Sequence, residues 1–129
     1  MMQRRYVVAV CVVVVMVLAV QAFAAYDPAA VQIVMPKVFA LYGETKQAAQ
    51  AKDYFTTADK LMGIAKLFKS LEVVTPEKAP KADWDRIHNE VIKAAFRGIG
   101  ACADEDDAKL QAALDAIAKS MGEGHKMFR

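Results

Sequence analysis

From about residue 27 onward, apolar residues recur at three- and four-residue steps, the period of an amphipathic α-helix. No stretch shows the strict alternation of a half-buried strand. Asp27-Pro28 makes a helix start: the aspartate can cap free backbone N–H groups, and proline suits the first turn. This first helix is predicted to run to about Gln50, with Val31, Val34, Val38, Leu41 and Tyr42 on one face. Pro36 falls inside it and predicts a kink, because proline removes one backbone hydrogen bond. Asp53 can cap a second helix ending near Leu71, whose stripe is Ala58, Leu61, Ile64, Ala65, Phe68 and Leu71. The stretch from Glu72 to Ala82 contains Pro76 and Pro80 and reads as a semi-rigid connection. Asp83 opens a third helix with Trp84, Ile87, Val91, Ala95 and Phe96 facing inward, and Gly98 and Gly100 mark its exit. Asp104 to Asp107 is acidic, as suits a helix N-terminus, and lacks the spacing and glycine of a calcium loop. The last helix carries Leu110, Leu114, Ile117, Met121, Gly124 and Phe128 close to an a/d seam, with Lys126 and Arg129 complementing its C-terminal end. Four helices of roughly 18 to 24 residues, each with one apolar stripe, predict an all-α, antiparallel up-down-up-down four-helix bundle.

The N-terminal segment is different in kind. Arg4 and Arg5 precede an unbroken apolar run from Tyr6 to Val20, and Ala22-Phe23-Ala24 follows as a small-residue cleavage signal. The order predicts a secretory signal peptide over residues 1–24, cut after Ala24, ahead of a bundle domain over residues 25–129. The competing reading is a retained anchor helix, since Tyr6 to Tyr26 is just long enough to span a bilayer. Cys11 has no small residue before it, which argues against a lipoprotein signal. The expected location is the periplasm, or the periplasmic face of the membrane if the leader stays.

Beyond Ala24 the chain keeps all 15 acidic residues and 15 of its 17 basic ones, so the formal charge of +2 comes from the leader. With no basic face, nucleic-acid binding has no support. Cys102 is the single cysteine after the leader, so an internal disulfide and a doubly thioether-linked haem are both excluded there. It reads as a small buried residue at a helix end.

The closing run, Met121-Gly-Glu-Gly-His125-Lys-Met-Phe-Arg129, carries the strongest chemical signal. It reads like a C-x-x-C-H haem-attachment motif that has lost both cysteines, with Met121 and Gly124 at their positions and His125 kept. Together with Met35-Pro-Lys-Val-Phe-Ala-Leu41, Ala51-Lys-Asp-Tyr54, Lys60 to Phe68, the proline-containing connection and Trp84, it resembles the cytochrome c prime superfamily along essentially all of the chain after the leader. It is also similar to the soluble periplasmic b-type cytochromes, which end in a His-x-x-aromatic-Arg turn.

The resemblance implies a periplasmic haem-binding electron-transfer protein with haem held non-covalently between helices and no bond-making catalysis. His125 would be the axial ligand of the haem iron and Met35 the second. Met121, Gly124 and Phe128 would complete the cofactor-binding set. Met/His ligation tends to raise the reduction potential. A redox partner protein is implied without being identified, and a homodimer through the first two helices is expected by analogy. A five-coordinate gas-binding site would need His125 alone.

Each of these residues also has a purely structural reading. His125 is a cation suited to a helix C-terminus, and Met35 is core filler on an apolar face. Gly122 and Gly124 fit either close approach of a flat macrocycle or fraying near the chain end. His88, four residues after Trp84, can face a pocket or lie on the flank. Neither a His88–His125 metal pair nor a copper site from Met35, Met62 and Met121 has ligand spacing. Tyr42, Phe55, Phe68, Trp84, Phe96 and Phe128 suit a haem cleft and a bundle core equally. No catalytic constellation emerges around Ser70 or Ser120. The alternative function is a haem-free bundle serving as a structural or partner-binding subunit of a membrane-associated complex.

Overall fold

The computed structural model describes residues 28–128. The expected leader, its cleavage site and the Asp27 cap lie outside the described residues. The described chain is all-helical: α1 (Pro28–Gln50), α2 (Tyr54–Ser70), α3 (Lys81–Ala103) and α4 (Asp107–Phe128). None of these helices is long and apolar enough to cross a membrane.

Local chemistry accounts for most boundaries. Asp53 caps α2 by accepting from the Thr56 backbone N–H at 3.1 Å. Asp106 does the same for α4, accepting from the Lys109 N–H at 3.0 Å. Both short links turn on a residue in the left-handed region, Lys52 (φ 57°) and Glu105 (φ 52°). Around each, backbone N–H groups bond back to the last free carbonyls of the preceding helix, as in Asp53 N–H to Ala48 and Asp106 N–H to Ala101.

Two expected boundaries shift. The third helix begins at Lys81, with Pro80 before it and no side-chain cap, rather than at Asp83. It also runs through Gly98 and Gly100 to Ala103. Packing explains why the helical position 98 is a glycine. A β-carbon there would stand 2.7 Å from Leu61 Cδ1 and 3.4 Å from Ala113 Cβ. The glycine sets how closely α3 approaches α2 and α4.

Most of the expected stripes of α2, α3 and α4 become the core, whereas of the α1 stripe only Val38 is fully buried and Val31, Val34, Leu41 and Tyr42 are partly so. Leu61, Ile64, Ala65 and Phe68 of α2, Val91, Ala94 and Ala95 of α3, and Leu110, Leu114 and Ile117 of α4 are buried together with Val38 of α1. Cys102 is buried in the same core near the end of α3, and burial pushes its thiol pKa up. Phe96 corrects its expected inward position: it is 53% exposed, on the outer side of α3.

The 71–80 connection is more than a spacer. Leu71, Val74 and Trp84 form a second apolar cluster. The Trp84 indole N–H donates to the Leu71 carbonyl at 2.9 Å. The Lys81 ammonium donates to the carbonyls of Glu72 and Val74 and also pairs with Asp85. Each helix packs against the next in sequence, whereas α1 and α4 barely touch. Where they do meet, the Tyr42 hydroxyl donates to the Leu114 carbonyl at 3.2 Å.

The two α3 glycines should respond oppositely to alanine. Gly98→Ala gains helix propensity but overpacks against buried Leu61, so a net loss of about 1 kcal/mol is expected. Gly100→Ala meets nothing within 4 Å and should gain up to about 1 kcal/mol. Urea unfolding of both variants checks the pair; equal midpoints would contradict the packing assigned to Gly98.

Candidate functional site

The sparse α1–α4 seam leaves a cleft of about 590 Å³. α1 contributes Val31, Gln32, Met35, Pro36 and Phe39, and α4 contributes Met121, Gly124, His125 and Phe128. Phe68 of α2 and Trp84, Ile87 and His88 of α3 complete the lining. The surface is apolar and aromatic, with two imidazoles, two thioethers and one amide as its only donor or acceptor side chains besides the indole.

Helical spacing explains why these residues meet. Val31, Met35 and Phe39 recur every four residues along α1, as do Trp84 and His88 on α3. Met121, Gly124, His125 and Phe128 occupy one face over the last two turns of α4. That segment is helical to Phe128, so Gly122 and Gly124 do not mark an unwound end. A β-carbon at Gly122 would meet nothing. At Gly124 it would make ordinary contacts, 3.5 Å to Ile87 and 3.7 Å to Phe128, both lining residues. Packing therefore tolerates a methyl group at 124, and glycine leaves that room to the cleft.

All five residues singled out from the sequence as a cofactor set, Met35, Met121, Gly124, His125 and Phe128, line this one cleft. His125 is partly buried, its ring tilted 32° against Phe39 at 5.4 Å between centroids. Phe39 is 48% exposed and forms the rim. Of the aromatic residues expected at a cleft, Phe68, Trp84 and Phe128 line it. Tyr42 is tied to Leu114, Phe55 is 87% exposed, and Phe96 points away. No group of three or more His, Cys, Asp or Glu side chains suited to a metal ion occurs among the described residues.

His88 is the residue whose importance sequence reasoning underrated. It lies in the cleft wall, only 3% exposed. Its ring meets Trp84 edge-on at 4.1 Å and Phe68 at 5.2 Å. Nδ1 is buried with no hydrogen-bond partner. Burial, helped by the positive Lys81 nearby, lowers its pKa from 6.5 to about 4, outweighing the opposing pull of Asp85 and Glu72. The four-residue step from Trp84 was a usable signal, but the same step fits a flank histidine.

No family model, curated protein or solved structure matches this chain. The functional assignment therefore stands on the residues of the cleft.

A buried neutral histidine makes stability pH-dependent. The folded pKa is depressed, so between pH 6.5 and about 4 the unfolded chain binds a proton that the folded chain does not. The contribution is fully present above 6.5 and falls away as pH drops towards 4, by on the order of 3 kcal/mol. Chemical denaturation of wild type and His88→Leu across this window should show a steep loss in the first and a flatter profile in the second. Parallel profiles would contradict the assignment to His88.

Proposed function

We propose that the chain is a periplasmic, cytochrome c prime-like electron-transfer protein that binds one haem non-covalently in this cleft. The carrying observation is the convergence of Met35 from α1 and Met121, Gly124, His125 and Phe128 from α4 on one apolar cleft. The donor set fits the group: imidazole and thioether nitrogen and sulfur are established haem-iron ligands. The volume lies within the range of about 300–1,000 Å³ usual for small-molecule and cofactor sites. The space left by Gly124 suits a flat ring lying against α4. When bound, haem supplies a reversible one-electron couple.

The residues divide the remaining work. His125 would hold the iron, with Met35 as the candidate second donor from the sequence. Phe39, Phe128 and Trp84 exclude water, and a drier site favours the less charged redox state. Met121 and Gly124 replace the two cysteines of the attachment motif, so attachment is non-covalent. We place the helices in antiparallel, up-down-up-down order. The pairing of Phe39 with His125 and of Tyr42 with Leu114, rising along α1 while falling along α4, supports this. Periplasmic location rests on the leader, and membrane association on its retention.

The second reading is a haem-free, partner-binding bundle. It is favoured by the lost cysteines and by exposed Ile33 and Phe39 on α1.

Titrating the full-length chain with haem separates the two. Saturable one-to-one binding with a sharp reduced α-band is expected. His125→Ala should weaken binding at least tenfold with helicity unchanged by circular dichroism. A folded helical chain showing no saturable binding would sink the haem reading.

A further inference from the structure

We propose that the cleft takes haem with the apolar edge of its ring against the Phe68–Trp84–Ile87 floor and with both propionates left in solvent at the Gln32–Phe39 opening, held by no buried cation. The inference rests on the haem reading above and specifies which part of the cofactor the protein recognises. Haem is amphipathic, with two carboxylates on one edge and methyl and vinyl groups on the others. A buried carboxylate without a partner is costly, so the polarity of the lining decides which edge enters.

The cleft is graded from one side to the other. Phe68, Trp84, Ile87 and His88 are between 1% and 3% exposed and close its inner side. Gln32, Pro36 and Phe39 are exposed and mark its opening. Among the described residues, no lysine, arginine or acidic side chain lines it. The floor has no other charge to offer. The Trp84 indole N–H is committed to the Leu71 carbonyl. Burial lowers the His88 pKa to about 4, so that imidazole is neutral at physiological pH.

The cations nearest the floor along α3 are already engaged. Lys81 donates to the carbonyls of Glu72 and Val74 and pairs with Asp85. Arg86 pairs with Asp83, Glu90 and Glu123. Lys37 and Lys126 follow Pro36 and His125 in the sequence, but both are exposed and neither lines the cleft. A contact from either to a propionate would be made in water, where such pairs contribute little. With Met121 and Gly124 in place of the thioether cysteines, no covalent bond sets the direction of the ring. The difference in polarity between floor and opening is left to set it. Gln32 supplies the one amide of the lining and stands at the opening, so it is the position from which the placement can be probed.

The test is titration of the full-length chain with ferric protohaem and with its dimethyl ester, in which both carboxylates are neutralised, for wild type and Gln32→Glu. Wild type should bind the two with affinities within about threefold of each other. Gln32→Glu sets a like charge beside the propionates. At low ionic strength it should weaken haem by about threefold or more and leave the ester unchanged. Helicity by circular dichroism should be the same in both chains, because position 32 is exposed. An ester that binds wild type more than threefold more weakly than haem overturns the inference and leaves the haem reading intact. A cation would then hold the propionates, with Lys37, Lys126 and Arg129 as the candidates. A Gln32→Glu effect that is equal for the two ligands, or absent for haem, overturns the placement at this opening. If the variant does not fold, the wild-type comparison decides alone. Absence of saturable binding of either ligand by wild type overturns the haem reading as well.

Discussion

The molecule depends on an unfilled seam. α2, α3 and α4 share a continuous apolar core, and α1 joins it chiefly through buried Val38 and Thr45 and partly buried Val34, Leu41 and Tyr42. That is too narrow a stripe to close against both neighbours. α1 packs on α2, makes a polar tie to α4 through Tyr42 and Leu114, and elsewhere stands off. The cleft is what remains where Met35 and Phe39 face the last two turns of α4.

The cleft is also supported from behind. Leu71, Val74 and Trp84 pack beneath it, and the Trp84 indole N–H fixes the 71–80 connection to α3. Lys81 ties the same segment by donating to two of its carbonyls. This connection therefore positions Trp84, which in turn holds His88 on one side and meets Phe128 at 4.9 Å on the other. The site is built on helices and braced by a loop tied to α3 through the carbonyls of Leu71, Glu72 and Val74, the arrangement that keeps side-chain geometry fixed. The unpartnered Nδ1 of His88 stands out against that background. Buried polar groups in folded proteins are nearly always bonded, and this nitrogen is the exception among the described side chains.

Much of this was legible along the chain. The stripes at three- and four-residue steps gave the four helices and most of the core, because burial on one face is what makes a helix of this length persist. Asp53 and the acidic run before α4 announced two helix starts through their capping chemistry. The loss of both cysteines around His125 excluded thioether attachment without reference to any structure. The convergence of Met35 with the Met121–Phe128 segment was anticipated only through a family resemblance, since spacing within one helix says nothing about its distance from another.

Other features were decided by tertiary packing alone. Gly98 reads as a helix exit in sequence and is a close-packing position in the fold, because only the approach of Leu61 and Ala113 makes a side chain there costly. Phe96 lies one residue off a buried stripe that continues through Ala94 and Ala95, and the small residues take the interior while the ring faces out. His88 has the same helical phase as Trp84, which is compatible with a flank as well as a wall. Phe68, Trp84 and Phe128, brought from three helices, bury its ring and leave one nitrogen unsatisfied. Periodicity is a property of one element at a time, so the sequence by itself determined the helices, their inward faces and the chemistry of the last turn. Which inward faces would meet, and which would leave a cavity between them, depended on side-chain volumes summed over four helices.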